Sequence, residues 1–95
     1  AGDRHGQAAA LNNLGYLAKE QGDPAAAEAR FREALGLLRA LGNPEERAAV
    51  LDELAEVVAA GGRPDEAADL RHEAAAERGD AGEPALRTDG AASAP

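Results

Sequence analysis

The apolar residues of this chain recur at helical spacing, in four stretches separated by short breaks. Leu11, Leu14 and Ala18 fall on one face of a first stretch, and Ala27, Phe31, Ala34, Leu35 and Leu38 on one face of a second. Those two faces are expected to pack on each other. Val50, Leu51, Leu54, Val57 and Val58 make the third stretch the most apolar, so it should be the most buried, held by neighbours on both sides. The fourth has Leu70 as its single large apolar residue among many alanines and places Arg71 where the second has Phe31. Such a polar last helix reads as a terminal cap or a degenerate unit.

The breaks carry helix punctuation. Gly22-Asp23-Pro24 supplies a glycine to end one helix, an aspartate to cap the next and a proline at its first position, and Gly62-Arg63-Pro64 repeats this without a capping side chain. Gly42, Asn43 and Pro44 do the same between the second and third stretches. The predicted helices run over about 4–21, 24–41, 44–60 and 64–78.

The pattern repeats. Laying "LNNLGYLAKEQGDPAAA" over "LDELAEVVAAGGRPDEA" matches Leu11 with Leu51, Leu14 with Leu54, Ala18 with Val58, Gly22 with Gly62, Pro24 with Pro64 and Ala27 with Ala67, at a constant offset of 40 residues. Asp3 falls on Asn43, each a good capping residue before its first helix. Two helix–turn–helix units follow, one over about 3–42 and one over about 43–78, forming a helical domain over 1–78. The remaining stretch, 79–95, is rich in glycine, alanine and proline with no apolar period. It is expected to be a disordered acidic tail, in which Leu86 is the one large apolar residue.

Composition supports an all-α reading and narrows the chemistry. Alanine makes up roughly a quarter of the 95 residues, with one Phe and one Tyr, which favours helices over strands. With 18 acidic and 10 basic residues the net charge is −8, which disfavours nucleic acid and anionic membrane surfaces. No cysteine is present for a disulfide or thiolate site, no apolar run approaches the roughly 18 residues of a membrane span, and no secretory leader is evident. A cytoplasmic setting is expected, and the absence of an initiating Met suggests a piece of a longer chain. No Ser, Thr or Cys occurs between residues 1 and 87, and His5 and His72 lie in no metal-binding or catalytic motif. Glycines such as those in "GGRPDEA" sit in no phosphate-cradling context, and Glu45-Glu46 at a helix start answer the helix dipole. No catalytic residue, metal or cofactor is predicted.

The series Leu11, Leu14-Gly15, Ala18, Gly22, Ala27, Phe31 and Ala34-Leu35 resembles the tetratricopeptide repeat signature, in which small residues sit where the two helices of a repeat touch. The second unit keeps Leu51, Leu54-Ala55, Val58, Gly62, Ala67 and Ala74 and lacks the Phe. The 40-residue period is longer than the usual length of about 34 and is similar to C-terminal repeats of multidomain bacterial transcriptional regulators. This resemblance implies an α-solenoid of two hairpins that binds a protein or peptide along the first helix of each repeat. Carried over position by position, it points to Ala9, Asn12, Asn13, Tyr16, Lys19 and Glu20 in the first unit, and to Ala49, Asp52, Glu53, Glu56 and Ala59 in the second.

Among these, Asn13 stands where related repeats use an amide to hold a partner's backbone, since an amide both donates and accepts. Either asparagine could instead bond its own helix or water. The family's clamp for a peptide's terminal carboxylate is missing, because Ala9, Ala49 and Glu53 replace its basic and amide residues. Asp52, Glu53 and Glu56 then either bias the groove toward a basic or neutral partner or form a solvated helix face. Tyr16 could stack on a ligand or pack on Lys19. The alternative to partner binding is self-association into a homodimer through uncovered apolar faces, with Leu37 and Leu41 or the flank of the third helix as the seam.

Overall fold

The structure is a computed structural model that describes residues 3–79, so the expected tail, including Leu86, lies outside the described residues. Four helices follow one another: α1 (Arg4–Glu20), α2 (Pro24–Leu41), α3 (Pro44–Ala60) and α4 (Pro64–Glu77). No strand occurs among the described residues.

Local chemistry sets the ends of these helices. Asp3, Asp23 and Asn43 each accept a hydrogen bond from the backbone N–H three residues on, at Gly6, Ala26 and Glu46, which satisfies one of the orphan donors at a helix start. Arg63 precedes α4 and makes no side-chain cap bond. Both turns inside the repeats close identically: the N–H of Asp23 donates to Ala18 O (2.9 Å) and that of Arg63 to Val58 O (3.1 Å). Each such closure passes through a left-handed glycine, Gly22 at φ 77° and Gly62 at φ 83°, a conformation that costs a Cβ-bearing residue more.

Successive helices pack in order, α1 on α2, α2 on α3 and α3 on α4. The α2 stripe of Ala27, Phe31, Ala34, Leu35 and Leu38 is buried along its length, and α3 buries Ala48, Val50, Leu51, Leu54, Ala55, Val57 and Val58, the most of any helix. That follows from its place between two neighbours. On α4 the buried residues are Ala67, Leu70 and Ala74, while Arg71 is exposed.

The first hairpin closes on Phe31, which is fully buried beneath α1. Its ring lies so near Gly15 that a Cβ there would stand 2.6 Å from Cε1. The second hairpin carries Ala55 at the equivalent place, fully buried, and needs no glycine because no aromatic ring faces it from position 71.

One packing expectation fails. Leu11 is half-buried and Ala18 buried, but Leu14 is 46 % exposed. The face of α1 that meets α2 runs through Ala8, Gly15 and Ala18, small residues that let the backbones approach. Leu14 projects about 100° round the helix from Gly15, toward a side where no described residue covers it. Of the places suggested for a dimer seam, Leu37 is partly buried against the core, the large apolar residues of α3 are all buried, and only Leu41 is exposed.

Candidate partner groove

α1 and α3, the first helices of the two repeats, lie side by side and hold a line of polar contacts and two cavities. The first cavity, about 240 Å³, is walled by His5, Ala9, Asn12 and Asn13 of α1 and by Glu46 and Ala49 of α3, with Leu38 of α2 below. The second, about 300 Å³, lies at the other end of the two helices between Lys19, Gly22 and Pro24 on one side and Glu56, Val57 and Ala60 on the other. Ala9 and Ala49 leave the first cavity open because neither side chain reaches across it.

Both asparagines line this first cavity. Asn13 is exposed and Asn12 half-buried. The Asn12 side-chain oxygen is itself buried and accepts no hydrogen bond from any described residue. A buried acceptor left without a donor costs about 1–3 kcal/mol.

The rim is set by a helix start. Asn43 Nδ2 donates to Glu46 Oε1 (3.0 Å) while the Glu46 N–H donates to Asn43 Oδ1 (3.2 Å), a reciprocal cap that turns the Glu46 carboxylate back toward α1. There His5 Nε2 lies 2.6 Å from the same Glu46 oxygen. In the sequence His5 lies in no motif and Glu46 answers the helix dipole. The Asn43-to-Glu46 spacing was the available signal for where that carboxylate goes.

Tyr16, Lys19, Glu53 and Glu56 form a lattice farther along the two helices. The Tyr16 hydroxyl donates to Glu53 Oε2 (2.7 Å), and Lys19 Nζ donates to Glu53 Oε1 (3.2 Å) and to Glu56. The hydrogen bond to Glu53 is the main cause raising the Tyr16 phenol above its ordinary value of 10.0, with burial adding to it. Lys19 is raised above 10.5, first by its bond to Glu56, with burial opposing. The Tyr16 ring meets Phe31 edge to face, centroids 5.9 Å apart, with the Lys19 ammonium 6.0 Å from its centroid. Tyr16 thus does pack beside Lys19, at the outer limit of a cation–π contact.

Asp52 pairs with Arg78 at the end of α4, and Glu20 is exposed. The three acidic residues of α3 named from the sequence are therefore all engaged within the chain. On the other side of the molecule α2 and α4 are tied by Arg32–Glu66 (2.6 Å), Arg39–Glu73 (2.8 Å) and Glu28–Arg63. The bond from Arg63 is the main cause holding the Glu28 carboxyl below its ordinary value, against burial.

Among the described residues no group of three or more His, Cys, Asp or Glu could hold a metal ion, and no helix is long and apolar enough to cross a membrane. A comparison with protein families matches the tetratricopeptide repeat over residues 6–78, most of the chain and nearly all of the two-hairpin unit. The chain belongs to the tetratricopeptide repeat family. No individual curated protein or solved structure matches it. The repeats of this family generally mediate protein–protein interaction and form a non-catalytic module. In this tetratricopeptide repeat chain the Gly15–Phe31 contact is the small-against-large packing within a repeat.

Proposed function

We propose that the cleft between α1 and α3 binds a segment of a partner protein, and that the first cavity is where its backbone is held. The observation that carries this reading is the buried, unpartnered oxygen of Asn12 at a cavity that Ala9 and Ala49 leave open. An N–H from an extended or helical segment supplies the missing donor, and the exposed Asn13 amide beside it offers both a donor and an acceptor. The Tyr16–Glu53–Lys19–Glu56 lattice holds α1 against α3 and keeps the cleft preformed, which limits the ordering cost of binding.

Because Asp52, Glu53 and Glu56 are paired within the chain, partner preference comes from the net charge of −8 as a whole and favours a basic or neutral segment. In this reading the repeats serve as the interaction module of a larger cytoplasmic regulator of bacterial type. Titrating a candidate partner peptide against Asn12→Ala, Asn13→Ala and Glu53→Lys tests it. A loss of at least about tenfold in affinity is expected for the first two, equivalent to about 1.4 kcal/mol; unchanged affinity in all three would sink the groove.

A further inference from the structure

The first cavity is rich in acceptors, and no lysine or arginine stands in its wall. Its ionisable wall residues are His5 and Glu46, and its other polar ones are Asn12 and Asn13. Both bonds to the Glu46 carboxylate, from Asn43 Nδ2 and from His5 Nε2, fall on Oε1. Glu46 Oε2 accepts none from the described residues, so with the buried Asn12 oxygen there are two open acceptors on one cavity. Arg47 follows Glu46 in sequence but leaves it unneutralised, since its guanidinium donates instead to Leu38 O (3.4 Å) and Glu77 (2.7 Å).

The rest of the wall is apolar: Ala9, Ala49, Leu38 and Val50 face a space of about 240 Å³. Apolar walls around open acceptors suit a long apolar stem that ends in a group carrying only donors. We infer, on the reading of the α1–α3 cleft as the partner's seat, that the first cavity takes the side chain of a lysine on the partner protein. Its four-carbon stem lies along Ala9, Ala49 and Val50, and its ammonium donates to the Asn12 oxygen and to Glu46 Oε2. The N–H that Asn12 lacks is then an ammonium N–H, while the segment's backbone stays at the mouth beside the exposed Asn13 amide.

The other side chains fit less well. An arginine pairs best with both oxygens of a carboxylate through its planar fork, and Oε1 of Glu46 is already held by the Asn43 cap. An apolar side chain would leave the Asn12 oxygen buried with no donor, which is costly. A carboxylate would meet Glu46 and two amide oxygens with no cation to offset them.

The lysine must come from a different protein. Lys19 is the single lysine of this chain, and it is bonded to Glu53 and Glu56 at the other end of the cleft. A second copy therefore offers no spare lysine, and its net charge of −8 opposes approach. The same charge draws in a lysine-bearing segment and makes the encounter sensitive to salt.

Short, terminally blocked alanine peptides with a single central lysine, arginine or norleucine test this when titrated into the chain while its backbone amides are followed. Norleucine keeps the apolar stem and lacks the ammonium. The lysine peptide should move the amides of Ala9, Asn12, Asn13 and Ala49 and bind at least about tenfold more tightly than the other two. Glu46→Gln should remove that advantage, and because glutamine can still accept from Asn43 the cap and the Tm should be kept. If all three peptides move those amides with equal affinity, or if Glu46→Gln leaves the lysine peptide's affinity unchanged, the lysine seat is refuted and the partner groove stands. If the lysine peptide moves no amide at the cavity, the lysine seat is refuted as well. The groove itself falls only if a candidate partner's affinity is also unmoved by Asn12→Ala, Asn13→Ala and Glu53→Lys.

Discussion

Replacing Gly15 by alanine should destabilise this protein, although glycine-to-alanine changes inside helices ordinarily stabilise by about 0.5–1 kcal/mol. A Cβ at Gly15 would stand 2.6, 2.8 and 2.9 Å from three atoms of the Phe31 ring, where carbon atoms normally rest about 3.5–4.0 Å apart. Either ring or helix must move by about 1 Å to restore ordinary contact. Phe31 is fully buried, so the ring can move only by displacing its neighbours. Overpacking of this size costs about 1–3 kcal/mol, and subtracting the helix-propensity gain of about 1 kcal/mol leaves a net loss of up to about 2 kcal/mol. Near the midpoint that lowers Tm by about 4–8 °C per kcal/mol for a domain of this length.

Gly36 is the internal control, because it lies in α2 and nothing would come within 4 Å of its Cβ. Gly36→Ala should raise Tm. Adding Phe31→Leu both to the original chain and to the Gly15→Ala variant should abolish or invert the penalty, a coupling that a double-mutant cycle reads directly. Thermal melts followed by circular dichroism suffice for the whole set. If Gly15→Ala stabilises as much as Gly36→Ala, the close contact between α1 and Phe31 does not exist.

Four further outcomes can be checked with the same protein. Asn12→Ala removes a buried acceptor that has no partner among the described residues, so urea denaturation should show stability unchanged or raised by about 1 kcal/mol, while Asp23→Ala should lower it by about 1 kcal/mol through loss of a cap. Tyr16 and Lys19 have raised values, so their mutual bonding with Glu53 and Glu56 contributes fully below about pH 10 and is lost as pH rises through them. With one Tyr and no Trp in the chain, phenolate absorbance during an alkaline titration reports Tyr16 alone, and Glu53→Gln should shift its midpoint down. Glu28 and Glu77 are held below 4.5, chiefly by the bonds from Arg63 and Arg47, so their contribution is present above pH 4.5 and fades as pH falls through the lowered values. Acid unfolding of Arg63→Ala and Arg47→Ala should therefore begin nearer neutrality, in steps that high salt blunts.

Helix boundaries and turns were legible in the sequence because local chemistry decides them. Asp3, Asp23 and Asn43 cap where their types and positions suggest, and Gly22 and Gly62 take the left-handed turn that the 40-residue offset pairs. The apolar period also located the α2 and α3 stripes. It could not say which side of α1 has a neighbour, and among the described residues none covers Leu14, whereas its equivalent Leu54 is fully buried.

The helices that carry the candidate residues were legible in the sequence, and the electrostatics of those residues were not. Asp52, Glu53 and Glu56 look like a free acidic face on a single helix. Their partners Arg78, Tyr16 and Lys19 lie 26 to 37 residues away, and those pairings depend on how α1, α3 and α4 sit against one another, which no local pattern encodes. The bare oxygen of Asn12 is likewise a property of the packed helices, since an isolated α1 would leave it in water.

Amide shift mapping tests the central claim most directly. A peptide selected from a random library for binding this chain would be titrated while the backbone amides of residues 3–79 are followed. The account predicts that the largest changes fall at Ala9, Asn12, Asn13 and Ala49 around the first cavity, and that Asn12→Ala abolishes them. Changes confined to the outer faces of α2 and α4, or persisting undiminished in Asn12→Ala, would contradict it.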